Sequence, residues 1–317
     1  MVPFRGSVAA GVNLHSLAFV APCRRYVATC NRGGCTKVVR VFRDLRNLKD
    51  KGVLITGAGR GIGKRLAIGF ANQGARVALV ARSKAELDLA NLEIEHAGGI
   101  SLRIRADVRD FEQMAAAVDR MRTHYGRLDV LICAAALQGP IGPLLDNPAK
   151  SWAETIETNL IGVVNSVRTV LPHMMERRSG KIIVLGGRGA TDPRPFFSAY
   201  AAAKAGVARF VETIAEEIRD QNVQINVMSP GRTYTHMTDE ILRAGDKAGP
   251  KEHDEAVSVR ITGGMAPDKQ IELASFLASE DSNHVSGKFI HVNDDWRRLE
   301  HTTAGRELYT LRRVLKG

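Results

Sequence analysis

The sequence predicts an α/β fold: a doubly wound, seven-stranded parallel sheet in a single domain that follows a basic N-terminal extension. Three observations predict it. Short apolar runs of strand length alternate with segments of helical length along most of the chain. The runs are continuous rather than alternating, which marks strands covered on both faces. The first run enters a glycine turn, Thr56-Gly57-Ala58-Gly59-Arg60-Gly61-Ile62-Gly63, that opens a helix. Right-handed crossovers then place ligands at the strands' C-terminal ends.

The elements follow in order. Val53 to Thr56 is the first strand, and Lys64 to Asn72 continue the turn as a helix. Arg76 to Ala81 is the second strand, and Lys84 to His96 a helix that Gly98-Gly99 ends. Ser101 to Arg105 is the third strand, leading to Asp107, and Phe111 to Tyr125 the next helix. Leu128 to Cys133 is the fourth strand. A long helix spans about Trp152 to Met175, with Pro172 near its end. Lys181 to Leu185 is the fifth strand, Ser198 to Asp220 a helix, and Gln224 to Met228 the sixth strand. Residues 232–266 are rich in Gly, Pro and charge and read as a mobile lid. A helix from about Pro267 to Ser279 precedes the seventh strand, Lys288 to Val292.

Composition narrows the function classes. The 317 residues are 44% hydrophobic and 5% aromatic, which suits one large α/β domain or two small ones. No apolar run approaches the ~20 residues of a membrane span. The formal charge is +11, but residues 1–51 hold ten Lys or Arg against Asp44 and Asp50, which leaves +3 for the rest. The basic balance therefore belongs to the tail and argues against a nucleic-acid partner for the domain. Residues 1–43 contain no acid, and Arg5, Arg24, Arg25, Arg32, Lys37, Arg40 and Arg43 are mixed with Ser, Ala and Gly. Residues 1–47 read as a disordered or non-native segment, an organellar transit peptide, or, from Val8 to Ala21, a weak secretory signal. The matching localisation is cytoplasmic, with mitochondrial as the alternative. Cys23, Cys30 and Cys35 lie in that tail without a zinc-pair spacing, and Cys133 ends an apolar strand. Neither a disulfide framework nor a metal site is expected.

Tyr200 and Lys204 carry the chemistry. Four residues apart on a helix, they share one face. A free tyrosine has a pKa near ~10, and a neighbouring ammonium favours its phenolate. Such a tyrosine exchanges a proton with a carbonyl or alcohol oxygen. The glycine turn upstream offers a place for a hydride carrier. Either signal alone is weak.

Together, in this order and separation, they resemble the short-chain dehydrogenase/reductase family, in particular its 3-oxoacyl-acyl-carrier-protein reductase-like members. The resemblance runs from about Leu48 to Asp295, leaving 296–317 as a C-terminal extension. It implies a Rossmann-type sheet and an NAD(P)-dependent oxidoreductase acting on CH–OH groups. Gly57, Gly61 and Gly63 match the family's Gly-x3-Gly-x-Gly turn, with Arg60 and Ile62 inside it. An acid at the end of the second strand would bond a ribose 2′-hydroxyl. That place holds Ala81, then Arg82 and Ser83. With Arg60, two cations and no acid favour NADP(H), with NAD(H) as the alternative. Asp107 and Val108 resemble the adenine contact. Cys133-Ala134-Ala135-Ala136 stands in the place of the family's Asn-Asn-Ala-Gly, and Ala134 keeps a backbone contact open. Pro230, Gly231, Thr233 and Thr235 resemble the loop that holds the carboxamide.

Three catalytic positions match. The resemblance makes Tyr200 the general acid/base, Lys204 the group that lowers its pKa and bonds the nicotinamide ribose, and Asn159 the helix asparagine behind a relay water. The family's serine, thirteen residues before the tyrosine, is Gly187 here. Arg188, Thr191 and Ser198 are the candidates to stand in. The leading expectation is an NADP-dependent oxidoreductase interconverting a ketone and a secondary alcohol. Two alternatives stay open: an NAD-dependent alcohol or sugar dehydrogenase, and a nucleotide-binding sensor or scaffold with weak turnover because of Gly187. The expected partners are a small carbonyl or alcohol substrate and further copies of the chain, as a homodimer or homotetramer, with no nucleic acid and no membrane. The substrate itself is not encoded in any motif. Arg188 and Arg194 hint at an anion, though solvated arginines are the blander reading.

Overall fold

The computed structural model describes residues 48–302, 305 and 308–311. The readings for residues 1–47 lie outside the described residues. Among those described, seven strands form one parallel sheet: β1 Gly52–Thr56, β2 Arg76–Ala81, β3 Ile100–Arg105, β4 Val130–Cys133, β5 Gly180–Leu185, β6 Val223–Ser229 and β7 Phe289–His291. The order is β3-β2-β1-β4-β5-β6-β7. The chain direction across the sheet reverses between β1 and β4, where Thr56 pairs with Cys133. That switch point opens a crevice at the strands' C-terminal ends. The expected Rossmann-type fold is therefore the observed one.

Alternate side chains of each strand feed two cores. Val53 and Ile55 of β1 pack with α1 (Gly61–Ala71), α2 (Lys84–His96) and α9 (Pro267–Ala278). Leu54 faces the other side, with α3 (Phe111–Tyr125), α5 (Gly162–Glu176) and α6 (Ser198–Glu217). Every residue of β1, β4, β5 and β6 is buried, as continuous apolar runs require.

Two elements differ from the sequence reading. The long helix is divided: α4 Ala149–Ile156 and α5 are joined by a π turn, Glu157–Ile161. The segment expected to be a mobile lid contains two helices, α7 His236–Ala244 and α8 Pro250–Thr262. Thr235 and Thr238 form a capping box for α7. Pro250 starts α8 at the position where a missing N–H costs nothing. The described part of the C-terminal extension packs on its own domain. Trp296 stacks on Phe276 at 5.3 Å. Phe289 N–H donates to Tyr309 O (2.6 Å), so residues near 309 cover the outer edge of β7.

The base of the sheet is anchored by Asp129, which is 7% exposed. It accepts from Gly52 N (2.8 Å), Arg127 Nε (2.5 Å) and Arg177 Nη2 (2.9 Å). Burial alone would raise its carboxyl. Arg127, the Gly52 N–H and Arg177 outweigh that and hold it below the usual carboxylate range.

Candidate active site

The crevice above the switch point is a cleft of about 1210 Å³. It gathers residues from three loops and one helix. Arg60, Gly61, Ile62 and Gly63 come from the β1–α1 turn, and Ala134 from the end of β4. Tyr200 and Lys204 come from α6, and Pro230, Gly231, Thr233 and Thr235 from the loop after β6.

The turn has the geometry a dinucleotide needs. Gly57 and Gly61 have φ of +65° and +59°, a region that side chains disfavour. A Cβ on Gly57 would stand 2.6 Å from Ala135 N, so only glycine lets β1 and β4 approach here. Beyond Gly61 the nearest side-chain atom is Thr235 Cγ2, at 3.5 Å from a Cβ position, and the N-terminus of α1 opens between them. A pyrophosphate fits that cradle. Thr56 Oγ1 accepts from Ala134 N (3.2 Å) and Ala135 N (3.4 Å), which fixes the alanine loop.

Of the expected adenine and 2′-phosphate residues, Arg82, Asp107 and Val108 lie outside the lining of this cleft, near the ends of β2 and β3, whereas Arg60 lines it. Arg82 Nη1 is 4.0 Å from Asp107. Arg109 also binds the Asp107 carboxylate, which holds it below the usual range against the opposing effect of burial. Arg60 pairs with Glu86 at 3.2 Å. Arg60 and Arg82 are both about half exposed. The sequence reading missed Glu86, and it missed Ser83 as the N-cap of α2, which accepts from Glu86 N (3.3 Å). Val108 faces Gly162 at the start of α5, where a Cβ would stand 2.5 Å from Val108 Cγ2.

Tyr200 is 9% exposed, and burial raises its hydroxyl above the ordinary value, with Arg194 the cation that opposes the rise. This departs from the expectation that Lys204 sets the tyrosine's pKa. Lys204 Nζ donates to Leu185 O (2.7 Å) and lies 5.6 Å from the centre of the Tyr200 ring. Burial pushes Lys204 itself down to about 8. Asn159 is fully buried and lies in the π turn. Its Oδ1 accepts from Leu137 N (2.7 Å) and its Nδ2 donates to Leu137 O (2.8 Å). Both amide groups are thus engaged, and the side chain acts as a clamp on the loop after β4.

Gly187 is not a vacancy. A Cβ there would stand 2.5 Å from Tyr200 Oη. The tyrosine hydroxyl occupies the room that a side chain at 187 would need. The backbone of Gly187 does not have a positive φ, so the constraint is space.

The substrate side is lined with charge. Arg188 pairs with Glu252 (2.7 Å) and with Glu255. Arg194 pairs with Glu252 (2.9 Å), and Arg232 with Glu255 (2.8 Å). Arg194 also lies over the Phe197 ring, 3.9 Å from its centre. The arginines read as solvated in the sequence are tied to α8. Glu252 and Glu255 were missed, although their i, i+3 spacing after Pro250 was a usable signal.

Comparison with known proteins agrees with this geometry. The short chain dehydrogenase family model matches residues 51–245. The 3-oxoacyl-acyl-carrier-protein reductase FabG of Thermotoga maritima is 32% identical over 248 residues, covering 78% of this chain and 97% of that protein. The oxidoreductase UcpA of Salmonella typhimurium is 33% identical over 243 residues, covering 76% and 92%. Among solved structures, a point variant of actinorhodin polyketide ketoreductase with NADPH superposes with a TM-score of 0.70 at 26% identity, covering 76% and 95%. With a nucleotide cradle at the switch point, a buried Tyr–Lys pair beside it and a family match across most of the domain, this chain belongs to the short-chain dehydrogenase/reductase family and is an NAD(P)-dependent oxidoreductase.

Proposed function

We propose that the enzyme uses NADP(H) to interconvert a ketone and a secondary alcohol, with Tyr200 as general acid/base. The observation that carries this is Tyr200 beside the cofactor cradle, buried and kept protonated at neutral pH. A protonated phenol is the form that reduction requires. A nicotinamide held in the cradle by the β1–α1 turn and the loop after β6 would supply or take the hydride. Tyr200 Oη gives its proton to the carbonyl oxygen as the alcohol forms, and the reverse reaction returns it. Lys204 places a positive charge below the tyrosine ring, and Asn159 holds the Leu137 backbone at the cleft wall.

NADP(H) is favoured by Arg82 and Arg60 and by the absence of an acid at Ala81. Charge-assisted bonds to a 2′-phosphate contribute ~1.5–3 kcal/mol each, which exceeds what the half-exposed pairs to Asp107 and Glu86 lose on opening. The names of the FabG relatives make a 3-oxoacyl ester the first substrate class to try. Assembly as a dimer or tetramer through α4, α5 and α6 is part of the same reading, supported by Ile161 exposed at the end of the π turn and measurable by light scattering.

Steady-state assays with both cofactors across ketones and alcohols, ethyl acetoacetate included, test this reading. Turnover should require Tyr200, and Tyr200→Phe should lose about 10²–10⁴-fold in rate with cofactor affinity unchanged. Arg82→Asp should reverse the cofactor order. Cofactor binding without turnover of any substrate would favour a nucleotide sensor, the reading that Gly187 motivates.

A further inference from the structure

The loop after β4 carries a buried polar group that the reaction above does not use. Gln138 is 4% exposed and lines the cleft together with Tyr200, Gly187 and Arg194. Its Nε2 is buried and has no hydrogen-bond partner among the described residues. Burying an amide without a partner costs about 1–3 kcal/mol, so such groups are rare in a folded chain and call for a partner from outside it or a role in catalysis.

The placement of Gln138 is fixed from both sides. The preceding residue, Leu137, is held by its N–H and C=O to Asn159. The following residue, Gly139, has φ of +73° and packs so closely on Thr155 that a Cβ there would meet its side chain. Further on, Gly142 N–H donates to Phe196 O (2.9 Å), four residues before Tyr200. The loop therefore runs from the Asn159 clamp towards the substrate side of the tyrosine, with Gln138 between.

We propose that the Gln138 carboxamide is a catalytic hydrogen-bond donor to the substrate oxygen, the role that the family's serine side chain would have at Gly187. The proposal rests on the ketone–alcohol reading above. As hydride reaches the carbonyl carbon, the C=O π pair moves onto oxygen, and Tyr200 Oη delivers the proton that completes the alcohol. Gln138 N–H bonds that oxygen throughout and keeps its own protons. The unpartnered Nε2 has both of its N–H bonds available to donate. A donor already in place and short of water stabilises developing charge without reorganisation. It also explains how the site dispenses with a side chain at 187, where Tyr200 takes the space.

Three variants of the full chain test it, with NADPH and ethyl acetoacetate. Gln138→Met keeps the length of the side chain and removes the amide. It should lower kcat by about 10²-fold, the usual cost of one oxyanion donor, with NADPH affinity unchanged. Its melting temperature without ligand should stay level or rise, because an unpartnered amide leaves the interior. This arm needs no turnover, and a clear fall in melting temperature would overturn the proposal by showing that the amide already has a partner. Gln138→Glu donates only when protonated, so its rate relative to the parent should climb as pH falls. A merely structural role leaves that ratio flat. Parental kcat in Gln138→Met beside an inactive Tyr200→Phe overturns the role of Gln138 and leaves the underlying reading standing. Turnover that survives Tyr200→Phe overturns both. Weaker NADPH binding in Gln138→Met also overturns the proposal, because it places the amide on the cofactor.

Discussion

The two ends of the central strands handle buried polar groups in opposite ways. At the amino end, Asp129 sits between β1 and β4 with two guanidiniums and a backbone N–H. At the carboxyl end, Lys204 is buried with one backbone carbonyl, and Gln138 Nε2 with no partner among the described residues. The first arrangement stabilises the fold. The second spends stability on groups held ready for something that is not part of the chain. The comparison teaches where to look for chemistry: not where charge is densest, but where it is left incompletely satisfied.

The largest expected effect lies at the amino end. Asp129→Ala strands two arginines and the Gly52 N–H and should cost about 3 kcal/mol of stability, read by denaturant unfolding. Cofactor affinity should not change, and a large loss of affinity at that distance would break the division between the ends. The next effect is at the carboxyl end. Gly187→Ser restores the family residue, yet its Cβ would collide with Tyr200 Oη. Displacing a reacting group by this much costs up to about 10²-fold in rate, so kcat should fall rather than rise. A faster Gly187→Ser enzyme would show that the tyrosine ring swings freely, contrary to its tight packing.

The smallest effect sharpens the contrast through its sign. Lys204→Met should abolish turnover yet stabilise the ligand-free protein by about 1 kcal/mol at neutral pH, by removing a buried cation that lacks a counter-charge. The pH dependence follows from the same burial. Lys204 keeps its proton up to about 8 in the folded state, against an ordinary value of 10.5. Between those values the unfolded chain holds the extra proton, so Lys204's contribution to stability rises with pH across that window, in the same sense as that of buried Lys181 and against that of buried Cys133. The slope should flatten in Lys204→Met, measured by thermal melts at stepped pH.

Sequence made the frame legible and left much of the site's wall obscure, for physical reasons. Strands such as Val53 to Thr56 and Lys181 to Leu185 announce themselves because burial on both faces demands continuous apolar runs. The glycine turn and the Tyr–Lys pair are legible because backbone geometry and helical spacing fix their residue types. α7 and α8 were hidden because short polar helices lack an apolar run, although Pro250 and the Thr235–Thr238 cap marked their starts. Gln138 gave no signal at all. Its importance comes from burial, which a loop sequence does not encode. Gly187 was visible as a missing serine, but only the packing shows that Tyr200 Oη fills the gap.

The π turn at Glu157–Ile161 has a consequence for how this chain tolerates insertion and deletion. A π turn holds one more residue than an α turn, and one residue of helix is about 100° of rotation. Removing a single residue there would let the hydrogen bonds revert to the plain α pattern with α4 and α5 still in phase, so the deletion is absorbed and only the residues of the turn itself change place. Thr155 would keep its seat against Gly139, while Asn159, inside the turn, would lose its hold on Leu137. A one-codon deletion within 157–161 should therefore leave a folded helix and an unclamped cleft, whereas a deletion of equal size in the exposed 301–302 segment should pass unnoticed.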